Sequence, residues 1–256
     1  MSGALLRRFP LAKKQQRRVN RKLATDYQPT ATLIDLDNYR PHQRKKRIEI
    51  VPRSINQEEY VLALDDDEMY IVAAVGPAGC GKTLLATMKA IQDLQEGKIE
   101  RIVITRPAVS TDEQHGFLPG DINQKMEPWV LPILDVFKEH YSVKEIANML
   151  QEGILEIAPL AYMRGRTFKN AYVIADEMQN STPSQTKMIL TRIGDGSRIF
   201  ITGDLQQHDR GYEANGLKDF LGRIKKSSHI TVVEFSREDV KRHPVVKEVL
   251  ELYGEE

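Results

Sequence analysis

The sequence predicts an α/β fold with a mostly parallel central sheet flanked by helices, preceded by a basic N-terminal arm. Three observations carry this reading. Six short runs, at residues 70–75, 101–105, 155–159, 172–176, 198–202 and 230–235, are dense in Val and Ile. Most are near-continuously apolar instead of alternating, the pattern of strands buried on both faces of a parallel sheet. Helical stretches separate them, and strands that alternate with helices build a doubly wound layer.

The elements follow in chain order. Residues 1–52 show no sustained period and are rich in Gln, Pro and basic clusters, which fits an arm that orders on binding. The structured domain is expected over 53–256. After the first strand, Leu84, Leu85, Met88, Ile91 and Leu94 recur at helical spacing, and Gly97 stands where a C-terminal cap belongs. Further helices are expected over 125–140, 142–151, 183–193, 217–225 and 237–253. Residues 110–129 read as irregular, with Gly116, Pro119, Gly120 and Pro128, and a loop of that length inside a domain is usually functional or disordered.

Composition narrows the classes. The chain has 256 residues, 41% hydrophobic and 29% charged, as expected of a soluble globular protein with room for one large domain or two small ones. No apolar run approaches the ~18 residues of a membrane span. A single cysteine, Cys80, closes no intramolecular disulfide, and the start lacks an apolar signal core. The expected location is the cytoplasm, with no membrane partner. The net charge of +1 conceals an asymmetry. Thirteen Lys or Arg against four Asp or Glu give residues 1–50 a charge of +9, and the remainder carries −8. A basic arm of this kind suits a phosphate polymer or an acidic surface. A solvated tail or an amphipathic targeting presequence has the same composition.

Gly76-Pro77-Ala78-Gly79-Cys80-Gly81-Lys82-Thr83 matches the phosphate-binding loop Gly-x4-Gly-Lys-[Ser/Thr]. A strand precedes it and an amphipathic helix follows, which is the context the motif requires. Its glycines let backbone N–H groups converge on an anion, and the helix N-terminus adds partial positive charge. Lys82 then reaches the β/γ-phosphates of ATP, and the Thr83 hydroxyl ligates Mg2+. Leu84 completes the expected nucleotide-binding set. Asp176-Glu177 ends the strand at 172–176, at the sheet edge where α/β folds bind ligands. Asp176 is the expected Mg2+ partner, and Glu177 the group that orients or deprotonates the attacking water. An acidic pair at a strand end also serves as a helix cap. Gln207 lies just past the strand at 198–202, placed to sense a γ-phosphate or to sit in a plain polar turn. Gln57 carries a primary amide able to satisfy adenine's amine and ring nitrogen together, or to face solvent.

Together with Thr105-Arg106-Pro107, Asp-Glu-Met-Gln-Asn at 176–180 and Gly-Asp-Leu-Gln-Gln at 203–207, these residues resemble the core motifs of superfamily 1 helicases. Gly-Phe-Leu-Pro-Gly at 116–120, Ala-Pro-Leu-Ala-Tyr-Met-Arg-Gly-Arg-Thr at 158–167 and Phe-Ser-Arg-Glu-Asp-Val-Lys-Arg-His-Pro at 235–244 narrow the resemblance to the phosphate-starvation-inducible PhoH-like family. The resemblance spans about 54–253. It implies a single recA-like P-loop NTPase lobe that hydrolyses ATP, binds single-stranded RNA or DNA, and assembles as a homo-oligomer, a hexamer in the family's manner. Cys80 stands where the family usually has threonine. No nuclease-like segment precedes the match, so a toxin-type RNase is not expected. Arg237 and Arg242 fall in the last motif and are the expected catalytic arginines, inserted into a neighbour's site; pairing of Arg237 with Glu238 or Asp239 is the local alternative. Phe117 and Trp129 are candidates to stack on unpaired bases, or core residues. Beside a motor, the motifs leave open a nucleotide-gated RNA-binding switch and a small-molecule phosphotransferase.

Overall fold

The computed structural model describes residues 48–107, 122–207 and 214–241, with Val245 and Leu252; at 122–129 only the helical backbone is described. Contacts divide the chain into Met1–Lys45 and Lys46–Glu256. The first unit, and with it most of the expected arm, lies outside the described residues. Among these residues six strands form one all-parallel sheet: β1 (Ile71–Val75), β2 (Arg101–Arg106), β3 (Leu155–Pro159), β4 (Ala171–Ala175), β5 (Arg198–Gly203) and β6 (Ile230–Glu234), in the order β3-β2-β4-β5-β1-β6. Every strand expected from the sequence is present. β1, β4 and β5 are buried along their whole length, which is why they read as unbroken apolar runs.

Helices α1 (Ile55–Asp65), α2 (Lys82–Gln95), α3 (Ile122–His140) and α4 (Val143–Gln151) pack on one face; α5 (Pro183–Leu190) and α6 (Gly216–Arg223) pack on the other. Alternate strand residues divide between the two cores: Val72, Ala74, Ile102, Ile104, Ile174 and Phe200 face the first, Ala73, Val103, Val173, Ile199 and Ile201 the second. Ile48 is buried in the first core, so the packed region reaches at least that far towards the N-terminus, ahead of residue 53.

Three local expectations change. α1 has no counterpart in the sequence reading, because its buried residues are Gln57, Tyr60 and Leu64, too polar a stripe to stand out. Its start is fixed by Ser54, whose Oγ accepts from Gln57 N. Its end is held by Arg198 of β5, whose guanidinium donates to the carbonyls of Ala63, Leu64, Asp66 and Met69 and lies over Tyr172 and Phe200. The helix expected from residue 125 begins at Ile122, inside the stretch read as irregular, with Pro128 and Pro132 accommodated inside α3. The helix expected from 237 does not begin there: Arg237–Asp239 is a single 3-10 turn and Val240 is extended. Asp239 folds back to accept from Ser236 N and Oγ and from Asn56 Nδ2, which ties the turn to α1. Most of 241–253 lies outside the described residues.

Candidate functional site

All strands point the same way, so their C-terminal ends share one sheet edge, and the loop at 76–81 rises from β1 at that edge into α2. Gly76 has φ +142°, and a Cβ there would lie 2.4 Å from Phe235 O. Gly81 is left-handed at φ +83° and caps α2 directly before Lys82. A side chain at either position would deform the loop.

A cavity of about 240 Å3 opens over this loop, lined by Ala78, Gly79, Gly81, Lys82, Thr83 and Leu84 on one side and by Asp176, Glu177, Thr202, Gly203, Asp204 and Gln207 on the other. Lys82 is buried, and its Nζ donates to Gly76 O and Pro77 O, 2.7 Å each. Burial pulls its ammonium below the ordinary lysine value, against the opposing influence of Cys80, Asp204, Glu177 and Asp176. Thr83 Oγ1 donates to Asp176 Oδ1 at 2.8 Å, and Thr202 Oγ1 bonds the same oxygen.

A hydroxyl bonded to a buried carboxylate at the rim of a phosphate-sized cavity is a donor set that suits Mg2+, which takes few protein ligands and fills its octahedron with phosphate and water. Among the described residues no group of three or more His, Cys, Asp or Glu could hold a metal.

Glu177 follows β4 in a left-handed conformation, φ +53°, uncommon for a side chain of its size. Its carboxylate is held at both oxygens. Gln179 Nε2 donates to Oε2, and Arg106, from the end of β2, stands 3.9 Å from Oε1. The Gln179 amide has one possible orientation here, because its Oε1 accepts from Asp204 N at 3.1 Å. Glu177 is thus linked through one buried glutamine to the loop that carries Asp204 and Gln207. The sequence reading gave no role to Arg106, Gln179, Thr202 or Asp204, although each stands in a motif at a strand end; their partners lie on other strands.

The remaining expected residues are placed as follows. Gly76, Pro77 and Cys80 belong to the loop without lining the cavity, and Cys80 is buried with Sγ 3.6 Å from Ser236 O. Gln57 is buried behind the loop: Nε2 donates to Cys80 O at 3.0 Å and Oε1 accepts from Arg53 N at 2.7 Å. Its amide therefore buttresses the loop, with one N–H and one lone pair beyond these bonds. Arg237 is exposed on the turn that packs against the loop through Ser236 O and through Lys241 N to Gly79 O, and it does not line the cavity. Arg242 and Phe117 lie outside the described residues, as does the side chain of Trp129.

The family model for PhoH-like protein matches residues 49–254. The PhoH-like protein of Bacillus subtilis (strain 168) is 44% identical over 206 residues, 80% of this chain and 64% of the relative. The PhoH-like protein of Synechocystis is 41% identical over 212 residues, 82% of this chain and 64% of the relative. Protein PhoH of Escherichia coli (strain K12) is 40% identical over 209 residues, 80% of this chain and 58% of the relative. The chain spans about six-tenths of the length of these curated relatives. Among the described residues no helix is long and apolar enough to cross a membrane.

Proposed function

The chain belongs to the PhoH-like family, and from that premise we propose that it is a Mg2+-dependent P-loop ATPase whose cycle is coupled to single-stranded nucleic acid, in a homo-oligomer. The observation that carries the ATPase reading is the Thr83–Asp176 hydrogen bond, which joins the end of the phosphate loop to the end of β4 across one cavity. Lys82, released from Gly76 O and Pro77 O, neutralises the β- and γ-phosphate oxygens, and the N-terminal N–H groups of α2 cradle them. Thr83 and Asp176 are the residues that would hold Mg2+, which would supply neutralisation of phosphate charge. Glu177 orients a water in line with the γ-phosphorus and takes up a proton as the bond to ADP breaks. Gln207, at the cavity rim, senses the γ-phosphate.

Arg237 contributes from a neighbouring copy. What supports this is its place on a turn packed against its own loop yet outside the cavity. Nucleic acid and ring assembly rest on the motifs at 105–107, 176–180 and 203–207 and on the charge of residues 1–50. A second reading, a nucleotide-gated switch with slow turnover, draws on the Gln179 and Arg106 contacts that restrain Glu177. Phosphate release with and without single-stranded RNA or DNA tests both. Lys82→Ala is expected to abolish hydrolysis. Glu177→Gln is expected to keep Mg·ATP binding and lose ~10²–10³ in rate. Wild-type turnover by Glu177→Gln refutes the role of Glu177, and a rate indifferent to nucleic acid refutes the coupling.

A further inference from the structure

The motif at 158–167 takes no part in the phosphate cavity, yet it builds the wall of another concavity. After β3 the chain turns through a 3-10 segment, Leu160–Met163, that anchors itself with buried Leu160 and Met163. The loop beyond it lies beside α5, and between them runs a groove of about 650 Å3. Its lining contains three cations, Arg164, Lys187 and Arg192, and no acidic residue. Arg164 and Lys187 are exposed. Arg192 is fixed in place, donating to Met188 O, Arg166 O and Thr191 Oγ1, so its charge is a permanent part of the wall.

The neighbouring acid does not cancel this field. Glu156 is engaged by both terminal nitrogens of Arg166, whose guanidinium also lies 5.0 Å from the centre of the Phe168 ring. On the same turn Tyr162 is 58% exposed, a large aromatic side chain held at the surface with no core to fill. A cationic groove beside a surface aromatic is the combination that binds an unpaired strand: cations track phosphates, and the ring accepts a base face of any sequence.

We infer that the groove between the loop at 161–165 and α5 binds the backbone of a single-stranded nucleic acid, with Arg164 and Lys187 on phosphates and Tyr162 stacked on a base. This rests on the nucleic-acid part of the proposed function and gives it a location in the folded domain, apart from the N-terminal arm.

The test is fluorescence anisotropy of a labelled oligouridine titrated with the full chain across a salt series, beside light scattering of the same samples. Arg164→Glu with Lys187→Glu is expected to weaken binding at least about tenfold near 0.1 M salt and to flatten the log–log salt slope by about 1.4, some 0.7 for each phosphate that is no longer neutralised. Tyr162→Ala is expected to weaken oligouridine about fivefold or more and to leave competition by inorganic polyphosphate unchanged, since polyphosphate has no base to stack. Should the charge reversal alter the circular dichroism or melting midpoint, Arg164→Gln with Lys187→Gln carries the test, with the same flattened slope expected. Unchanged affinity and slope in a folded double variant overturn the inference while the wider reading stands. A change of assembled mass in place of affinity makes the groove a subunit contact and also overturns it. A wild-type chain that does not bind oligouridine at all removes the nucleic-acid reading and this inference together.

Discussion

Asp239→Asn tests whether the two ends of the folded domain brace the phosphate loop. Asp239 is 3% exposed, and its Oδ2 accepts from Ser236 N at 2.7 Å, Asn56 Nδ2 at 2.8 Å and Ser236 Oγ at 3.1 Å. Burial works to raise its pKa, but hydrogen bonds from Ser54, Ser236 and Asn56 prevail and hold the carboxyl below the ordinary aspartate value. A hydrogen bond to an ionised group contributes ~1.5–3 kcal/mol and a neutral one ~0.5–1.5, so neutralising the acceptor removes about 1 kcal/mol per bond. Three donors crowd one oxygen, so the substitution should cost roughly 2 kcal/mol, or about 4–8 °C in Tm for a domain of this size. The native carboxyl has the lower pKa, so its contribution is full above ~3.9, the unfolded value, and disappears as pH falls through the native one. Urea midpoints of wild type and variant should therefore differ at pH 7 and draw together only as pH falls below ~3.9 and through the lower native value. The same turn touches the loop at Cys80 Sγ and Gly79 O, so Mg·ATP should bind several-fold more weakly while maximal turnover is retained. Equal stability at pH 7, or a gap that persists in acid, would refute the reasoning.

Three further outcomes follow from the geometry. Because burial lowers the Lys82 pKa, Mg·ATP affinity should decline on the alkaline side before the ordinary lysine range is reached, whereas Lys82→Arg should bind with a flat profile over that span; calorimetric titration across pH checks this, and a wild-type profile as flat as the arginine variant's excludes it. Arg198→Met should cost about 3–5 kcal/mol in chemical unfolding, since four carbonyls at the end of α1 and beyond it lose their donor in a buried setting; a loss below ~1 kcal/mol would mean water replaces the guanidinium. Arg237→Ala should keep nucleotide binding and lose hydrolysis, and mixing it with Lys82→Ala protein should restore part of the rate through sites built from one intact half of each. Mixed oligomers that stay inactive would place Arg237 outside its neighbour's chemistry.

The division between what the sequence discloses and what it hides follows the range of the interactions. β1, β4 and β5 are legible because burial on both faces leaves a purely apolar run, and the phosphate loop because its chemistry is local to eight consecutive residues. α1 is hidden because its inward face carries Gln57, and that amide makes sense only beside Cys80 O, 23 residues later. α3 is legible from residue 125, even across Pro128, but its first turn, Ile122–Gln124, follows Pro119 and Gly120 and reads as part of the irregular stretch. The last helix is misplaced only at its start: Val245 and Leu252 are helical as expected, but Asp239 bonds to Asn56, 183 residues away, and that contact holds 237–239 in a 3-10 turn beside α1. The same holds within the site. Asp176 and Glu177 announce themselves as a pair, whereas Gln179 and Arg106 acquire meaning only when β2, β4 and β5 lie side by side and bring a guanidinium, a carboxylate and the 204 amide to one edge. Residues that contact phosphate can be read from a local pattern because the ligand imposes it; residues that hold those residues in place answer to the fold, and only the fold reveals them.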